Sequence, residues 1–211
     1  MHWLAPISDE EMSDAQAKVF TRALSKFEVP EGEDAPTWIR VMLNSPEYLK
    51  DVYMNVSQHL FKETSIKVGT KAVLAAVAAS HAGNKELAEF FAARALAEGA
   101  SMEQIYEGMG IAATSTSFNF YYKFRSLSQT DEFEGHKPSL RATLFQRPSL
   151  GKAFAELVNL MISTANGCAS CVSGHITEAE QHDVSKDQID EVIRIGAIVQ
   201  SMAMFLRTHE A

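Results

Sequence analysis

Apolar residues recur along most of the chain at the three- and four-residue spacing that gives an α-helix one buried face. Ser8-Asp9-Glu10-Glu11 reads as a helix start, a serine cap followed by acids in the first turn. Val19, Phe20, Ala23, Leu24 and Phe27 then follow at helical spacing. Pro30 to Pro36 is a polar break. A second helix is predicted from Pro46, a residue suited to a first turn, to Phe61, with Tyr48, Leu49, Val52, Val56 and Leu60 as its stripe. Alanine-rich Thr70 to Ala82 favours helix strongly, and Leu87 to Glu98 continues the pattern until Gly99 closes it. Ser101 caps the next helix, which turns Ile105, Met109, Ala112 and Ala113 inward and runs towards Tyr122. Ser128 to Pro138 is a polar link. Further helices are expected over Ser149 to Thr164, Cys168 to His182 and Asp187 to Leu206, with a break at Asn166-Gly167. Few segments look like strands, and Thr114 to Tyr122, with its β-branched and aromatic residues, is the main ambiguity. The fold class is therefore all-α.

Two stretches share a register. Ser101-Met-Glu-Gln-Ile-Tyr-Glu parallels Ser185-Lys-Asp-Gln-Ile-Asp-Glu, and farther on Ile111 matches Ile195, Ala113 matches Ala197 and Ser117 matches Ser201. Each half reads as three helices joined by turns. A duplication explains the shared register better than two unrelated capped helices do. In that register Cys168, Cys171 and His175 fall on Asn84, Leu87 and Phe91, so the first copy has no redox chemistry.

Composition narrows the setting. The chain has 211 residues, long enough to bury a core without metals or disulfides as staples. A net charge of −8 disfavours nucleic acid, whose phosphates need a basic surface. No apolar run reaches membrane-spanning length, and the first residues show neither a basic n-region nor an apolar h-region. The expected location is the cytoplasm, with no membrane partner.

The only two cysteines stand together as Cys168-Ala-Ser-Cys171. In a reducing compartment a close pair points to catalysis or metal binding rather than a structural staple. Three apart on a helix, they share a face at a separation a disulfide tolerates. A helix N-terminus favours a thiolate over a thiol. His175, one turn past Cys171, is placed to take or return a proton. Glu156 lies on the preceding helix, and an antiparallel or crossed return would bring its carboxylate to the same pocket. Helix-end position alone would favour Cys168 as the nucleophile. Zinc bound by Cys168, Cys171, His175 and His182 is a weaker reading, because structural zinc takes ligands from separated segments. His81, His136 and His209 read as surface or capping residues. Phe118, Phe120, Tyr121 and Tyr122 read as core or subunit contacts before they read as a peroxide pocket.

Glu156, Cys168, Cys171 and His175 together reproduce a known pattern: a glutamate, a cysteine twelve residues on, a second cysteine after two residues, and a histidine after three more. In this the chain resembles the AhpD-like alkylhydroperoxidases of the carboxymuconolactone decarboxylase superfamily. Leu140-Arg141, Pro148, Asn166-Gly167, Ser201-Met-Ala and the run Ile111 to Arg125 also look similar. The resemblance covers about Tyr48 to Leu206. One departure is Ser170, where some members carry a further histidine beside the thiols; it bears on rate, not on reaction type.

The resemblance implies an AhpD-like fold of two related repeats: an N-terminal helical arm over 1–46, a degenerate repeat over 47–128 and an active repeat over 129–211. It implies a peroxidase of organic hydroperoxides that uses no cofactor or metal. Cys171 would be peroxidatic, Cys168 resolving, and His175 and Glu156 a proton relay. The implied partners are the hydroperoxide, a dithiol reductant such as a dihydrolipoyl protein, and an AhpC-type peroxiredoxin. The implied assembly is a homo-oligomer, a trimer or a trimer of dimers. The same residues would serve a general thiol–disulfide oxidoreductase or a redox sensor. A lactone decarboxylase, the superfamily's other activity, does not depend on such a cysteine pair.

Overall fold

The computed structural model describes residues 4–207 and His209. Among the described residues there are ten α-helices and two 3-10 turns, and no strand. The helices are α1 (Asp14–Lys26), α2 (Thr37–Met42), α3 (Pro46–His59), α4 (Val68–His81), α5 (Lys85–Ala97), α6 (Met102–Ser128), α7 (Thr143–Gln146), α8 (Lys152–Ala165), α9 (Ala169–Gln181) and α10 (Lys186–Leu206).

The core lies around α4 and α8. Every residue from Lys71 to Ala79 is buried, so α4 has no solvent face over two turns, and its alanines let neighbours pack close. Helix α4 packs on α5, α6 and α10, while α8 packs on α9, α10 and α6. Helix α6 thus reaches from its own half into the other, and α10 does the same in return. The starts of α4 and α8, of α5 and α9, and of α6 and α10 are each 84 residues apart. Ser101 and Ser185 form matching capping boxes with Gln104 and Gln188.

Several expectations are corrected. The helix expected from Ser8 is broken in two. Ser8 and Glu11 box off a short 3-10 turn, Asp9–Glu11, and a second box, Ser13 with Gln16, starts α1. The ambiguity over Thr114 to Tyr122 resolves as the helix expected from Ser101, and the correction is to its length: α6 has 27 residues and runs past Tyr122 to Ser128. The hydroxyls of Thr114, Thr116 and Ser117 donate to the carbonyls of Gly110, Ala112 and Thr114, which satisfies them within the helix. Helix α2 follows the polar break unannounced. Trp38, Ile39, Val41 and Met42 are all buried and only Thr37 and Arg40 reach outward, so six residues are too few to show an amphipathic period. Helix α7 interrupts the long link between the halves, and from Gln129 to Gly151 no residue is buried.

The N-terminal helices are packed rather than free. Helix α1 rests on α3, and α2 on α3 and α10. Phe27, Trp38 and Phe90 meet edge to face, with Phe27 and Trp38 ring centroids 4.7 Å apart. Tyr48 stacks on Phe205 at 4.8 Å and its hydroxyl meets Ser201 at 2.8 Å.

Candidate active site

Helix α9 starts where it does because the turn before it is tied down. Gly167 takes φ +66°, a left-handed conformation that favours glycine. The Cys168 amide donates to the Ser163 carbonyl at 3.0 Å, closing the end of α8. The Asn166 side chain donates to Asn119 Oδ1 at 3.0 Å, and Asn119 Nδ2 donates to Ser163 Oγ at 3.0 Å. Lys123 Nζ donates to the Asn166 carbonyl at 2.8 Å. Helix α6 therefore holds both the turn and a cation beside the first cysteine. His81, at the end of α4, faces the same asparagine; burial lowers its pKa and the Asn166 contact opposes that.

Cys168 is the N-cap residue of α9 and Cys171 sits in its first turn. The two are joined as a disulfide with Cα atoms 5.3 Å apart. Cys168 is 2% exposed and Cys171 9%. Cys171 is the cysteine that lines an open cavity of about 380 Å³, with Ser170, Gly174, His175 and Glu178 from the same helix. Both cysteines lie at the helix end where unpaired amides and the dipole favour negative sulfur.

The structure brings His175 and Glu156 together as well. His175 Nδ1 lies 2.6 Å from Glu156 Oε2 across the α8–α9 packing. Asn159 Nδ2 donates to Glu156 Oε1 at 3.4 Å, so the carboxylate is held from two sides. Glu156 is 8% exposed, and its burial is matched by these partners. With Nδ1 engaged by the carboxylate, Nε2 is the nitrogen left to exchange a proton at the cavity. Ser170 Oγ is 3.7 Å from Cys168 Sγ, at the position where some relatives place a histidine.

His182 stands at the opposite end of α9 from Cys168. Among the described residues no three His, Cys, Asp or Glu side chains converge as a metal site.

Other residues at the cavity escaped the sequence pattern. Phe118 and Tyr122, read first as core or subunit contacts and only second as a pocket, form its wall, and Phe145 of α7 closes it. Phe145 meets Phe118 at 5.6 Å and the His175 ring edge-on at 6.4 Å. Phe145 had one available signal: it lies 84 residues after Phe61, in the register of the two halves. Gly174 had another, as a glycine inside a predicted helix.

The carboxymuconolactone decarboxylase family model matches residues 139–207. The alkyl hydroperoxide reductase AhpD of Coxiella burnetii is 30% identical over 162 residues, covering 75% of this chain and 90% of that protein. The protein of the same name from Maricaulis maris is 32% identical over 166 residues, covering 76% and 92% respectively. That from Rhizorhabdus wittichii is 30% identical over 158 residues, covering 75% and 90%.

Proposed function

The chain belongs to the carboxymuconolactone decarboxylase family as an AhpD-like member, and on that premise we propose that it is a thiol-dependent peroxidase acting on organic hydroperoxides. The observation that carries this reading is that Cys171 faces an open cavity with His175 beside it, while Cys168 lies behind. Access favours Cys171 as the sulfur that meets substrate, against the bare helix-end argument for Cys168. The names of the AhpD relatives support the same chemistry.

In the reduced enzyme the Cys171 thiolate attacks the distal oxygen of ROOH. The O–O bond breaks, the alkoxide takes a proton delivered by His175 and leaves as ROH, and Cys171 becomes a sulfenic acid. The Cys168 thiol then displaces the sulfenic oxygen as water and closes the disulfide. Glu156 orients His175 and stabilises its protonated form between the two transfers. A dithiol reductant such as a dihydrolipoyl group reopens the disulfide by thiol–disulfide exchange and is itself oxidised to a disulfide, and an AhpC-type peroxiredoxin is a further partner of the cycle. The reducing cytoplasm is the setting in which such a cycle is driven. The active unit is the second repeat, 129–211, supported by the degenerate repeat 47–128 and the N-terminal helices, and the assembly is a homo-oligomer.

Stopped-flow mixing of the reduced protein with an organic hydroperoxide, followed by thiol titration, tests the reading. Fast loss of both thiols with release of one alcohol per disulfide is expected. Thiols that survive the hydroperoxide, or are lost without alcohol, would overturn it.

A further inference from the structure

Gly174 has no role in holding the fold. It lies inside α9, where glycine costs about 0.5–1 kcal/mol relative to alanine. Its backbone is not left-handed, and a Cβ built on it meets nothing within 4 Å. Neither conformation nor packing calls for a glycine there. What lies above it is the 380 Å³ cavity beside Cys171, a size within the range of small-molecule sites, about 300–1,000 Å³.

The first half shows what the same place holds when a side chain is present. The residue 84 positions before Gly174 is Phe90, on α5. Its ring meets Trp38 at 5.2 Å, Phe91 at 5.2 Å and Phe27 at 6.1 Å, all edge to face. This cluster packs α5 against the N-terminal helices and has no counterpart ring at Gly174. The rings of the cavity, Phe118, Tyr122 and Phe145, come instead from α6 and α7, and the second half leaves out the plug that Phe90 supplies.

The cavity's charges select further. Glu178 lies on the lining and no lysine or arginine does. Its equivalent in the first half is Arg94. Glu178 is exposed at the cavity mouth, so its carboxylate repels an anionic ligand with the strength that solvent screening leaves it.

We propose that Gly174 is the specificity-determining position of this site: by withholding a side chain it keeps open the cavity that receives the uncharged hydrocarbon part of an aryl or branched-alkyl hydroperoxide, and Glu178 turns away anionic ones. The proposal rests on the peroxidase reading above. The hydrocarbon part lies against the three aromatic rings, and the peroxide oxygens reach Cys171. The alcohol product keeps that hydrocarbon part, so it binds the same cavity.

The experiment uses the full-length disulfide form and 2-phenylpropan-2-ol, the alcohol left by cumene hydroperoxide. Calorimetric titration should show saturable binding to the wild type. Gly174→Phe, which restores the first half's plug, should weaken it at least tenfold with the helical circular dichroism retained. Gly174→Leu serves if the phenylalanine variant does not fold. In turnover, the ratio of kcat/KM for cumene hydroperoxide over hydrogen peroxide should fall at least tenfold in either variant. Wild type should also prefer the alcohol to 4-isopropylbenzoate, and Glu178→Gln should narrow that preference. No alcohol binding to wild type, unchanged binding in the folded Gly174 variants, or equal affinity for the carboxylate would overturn the proposal. Turnover without alcohol binding sinks the cavity assignment and leaves the peroxidase reading standing. Selective alcohol binding with no turnover of any hydroperoxide does the reverse.

Discussion

Glu107 and Glu191 each grip a serine from the opposite half of the molecule. Glu191 on α10 accepts from Ser65, in the loop that enters α4, and Glu107 on α6 accepts from Ser149, in the loop that enters α8. Both the glutamates and the serines are 84 residues apart. The two grips are not equal in depth. Glu191 also takes Thr64 and the ammonium of Lys71, a lysine 0% exposed, whose equivalent in the second half is Ala155.

Glu191→Ala should therefore destabilise the protein by about 3–5 kcal/mol, because it strands a buried ammonium. Glu107→Ala should cost about 1 kcal/mol, the worth of its hydrogen bonds. Urea unfolding measures both, and equal losses would contradict the asymmetry. Burial alone would raise the Glu191 pKa, but the hydrogen bonds from Lys71, Ser65 and Thr64 and the Lys71 charge outweigh it and hold it below 4.5. The unfolded chain thus binds the proton first. The stability this group supplies is complete above pH 4.5 and fades as pH falls through the lower folded value. Wild type should lose stability across that acid window more steeply than Glu191→Ala.

Cys171→Ser should abolish hydroperoxide turnover. Cys168→Ser should allow one oxidation that stops as a sulfenic acid, visible as a single oxygen adduct in intact mass or by dimedone trapping. If Cys168→Ser blocks the first oxidation while Cys171→Ser does not, the two cysteines have exchanged roles.

His175→Ala and Glu156→Gln should each slow thiol oxidation near neutral pH by about 10²–10⁴-fold, the usual worth of general acid–base help, without loss of helix. The deficit should shrink as pH rises and solvent deprotonates the thiol unaided. A pH–rate profile identical to wild type in both variants would make the 2.6 Å contact between them merely structural.

The proposed self-association has a candidate seam. Along α6, Tyr106, Phe120, Phe124 and Leu127 repeat at helical spacing and are 62%, 80%, 47% and 68% exposed. Such a stripe is more than a solitary chain needs to leave in water. Light scattering should give three or six times 23.3 kDa, and Phe120→Glu should lower that mass. A wild-type mass of one chain at all concentrations would remove the oligomer.

Much of this site is legible in the amino-acid sequence. Glu156, Cys168, Cys171 and His175 are tied by spacings along two adjacent helices, and helical periodicity alone decides which face each occupies. The serine caps at Ser101 and Ser185 set the register of the halves in the same local way. What escapes a linear reading depends on contacts across space. Helix α2 is too short, and too deeply buried on all but its Thr37–Arg40 edge, for a period to show. Phe145 acts through a four-residue helix in a link with no buried residue, where no period can form. Gly174 matters through what is missing above it, and only the matching Phe90 makes that absence visible.

The disulfide lies within one turn of α9, and α6 pins the turn before it through Asn119 and Lys123. The bond joins residues of a single turn, so making or breaking it ties no two helices together and frees none. The oxidised and reduced proteins are therefore expected to present the same outline to a partner. A partner that distinguishes them has to touch the sulfur atoms, because no shape change carries the message outward.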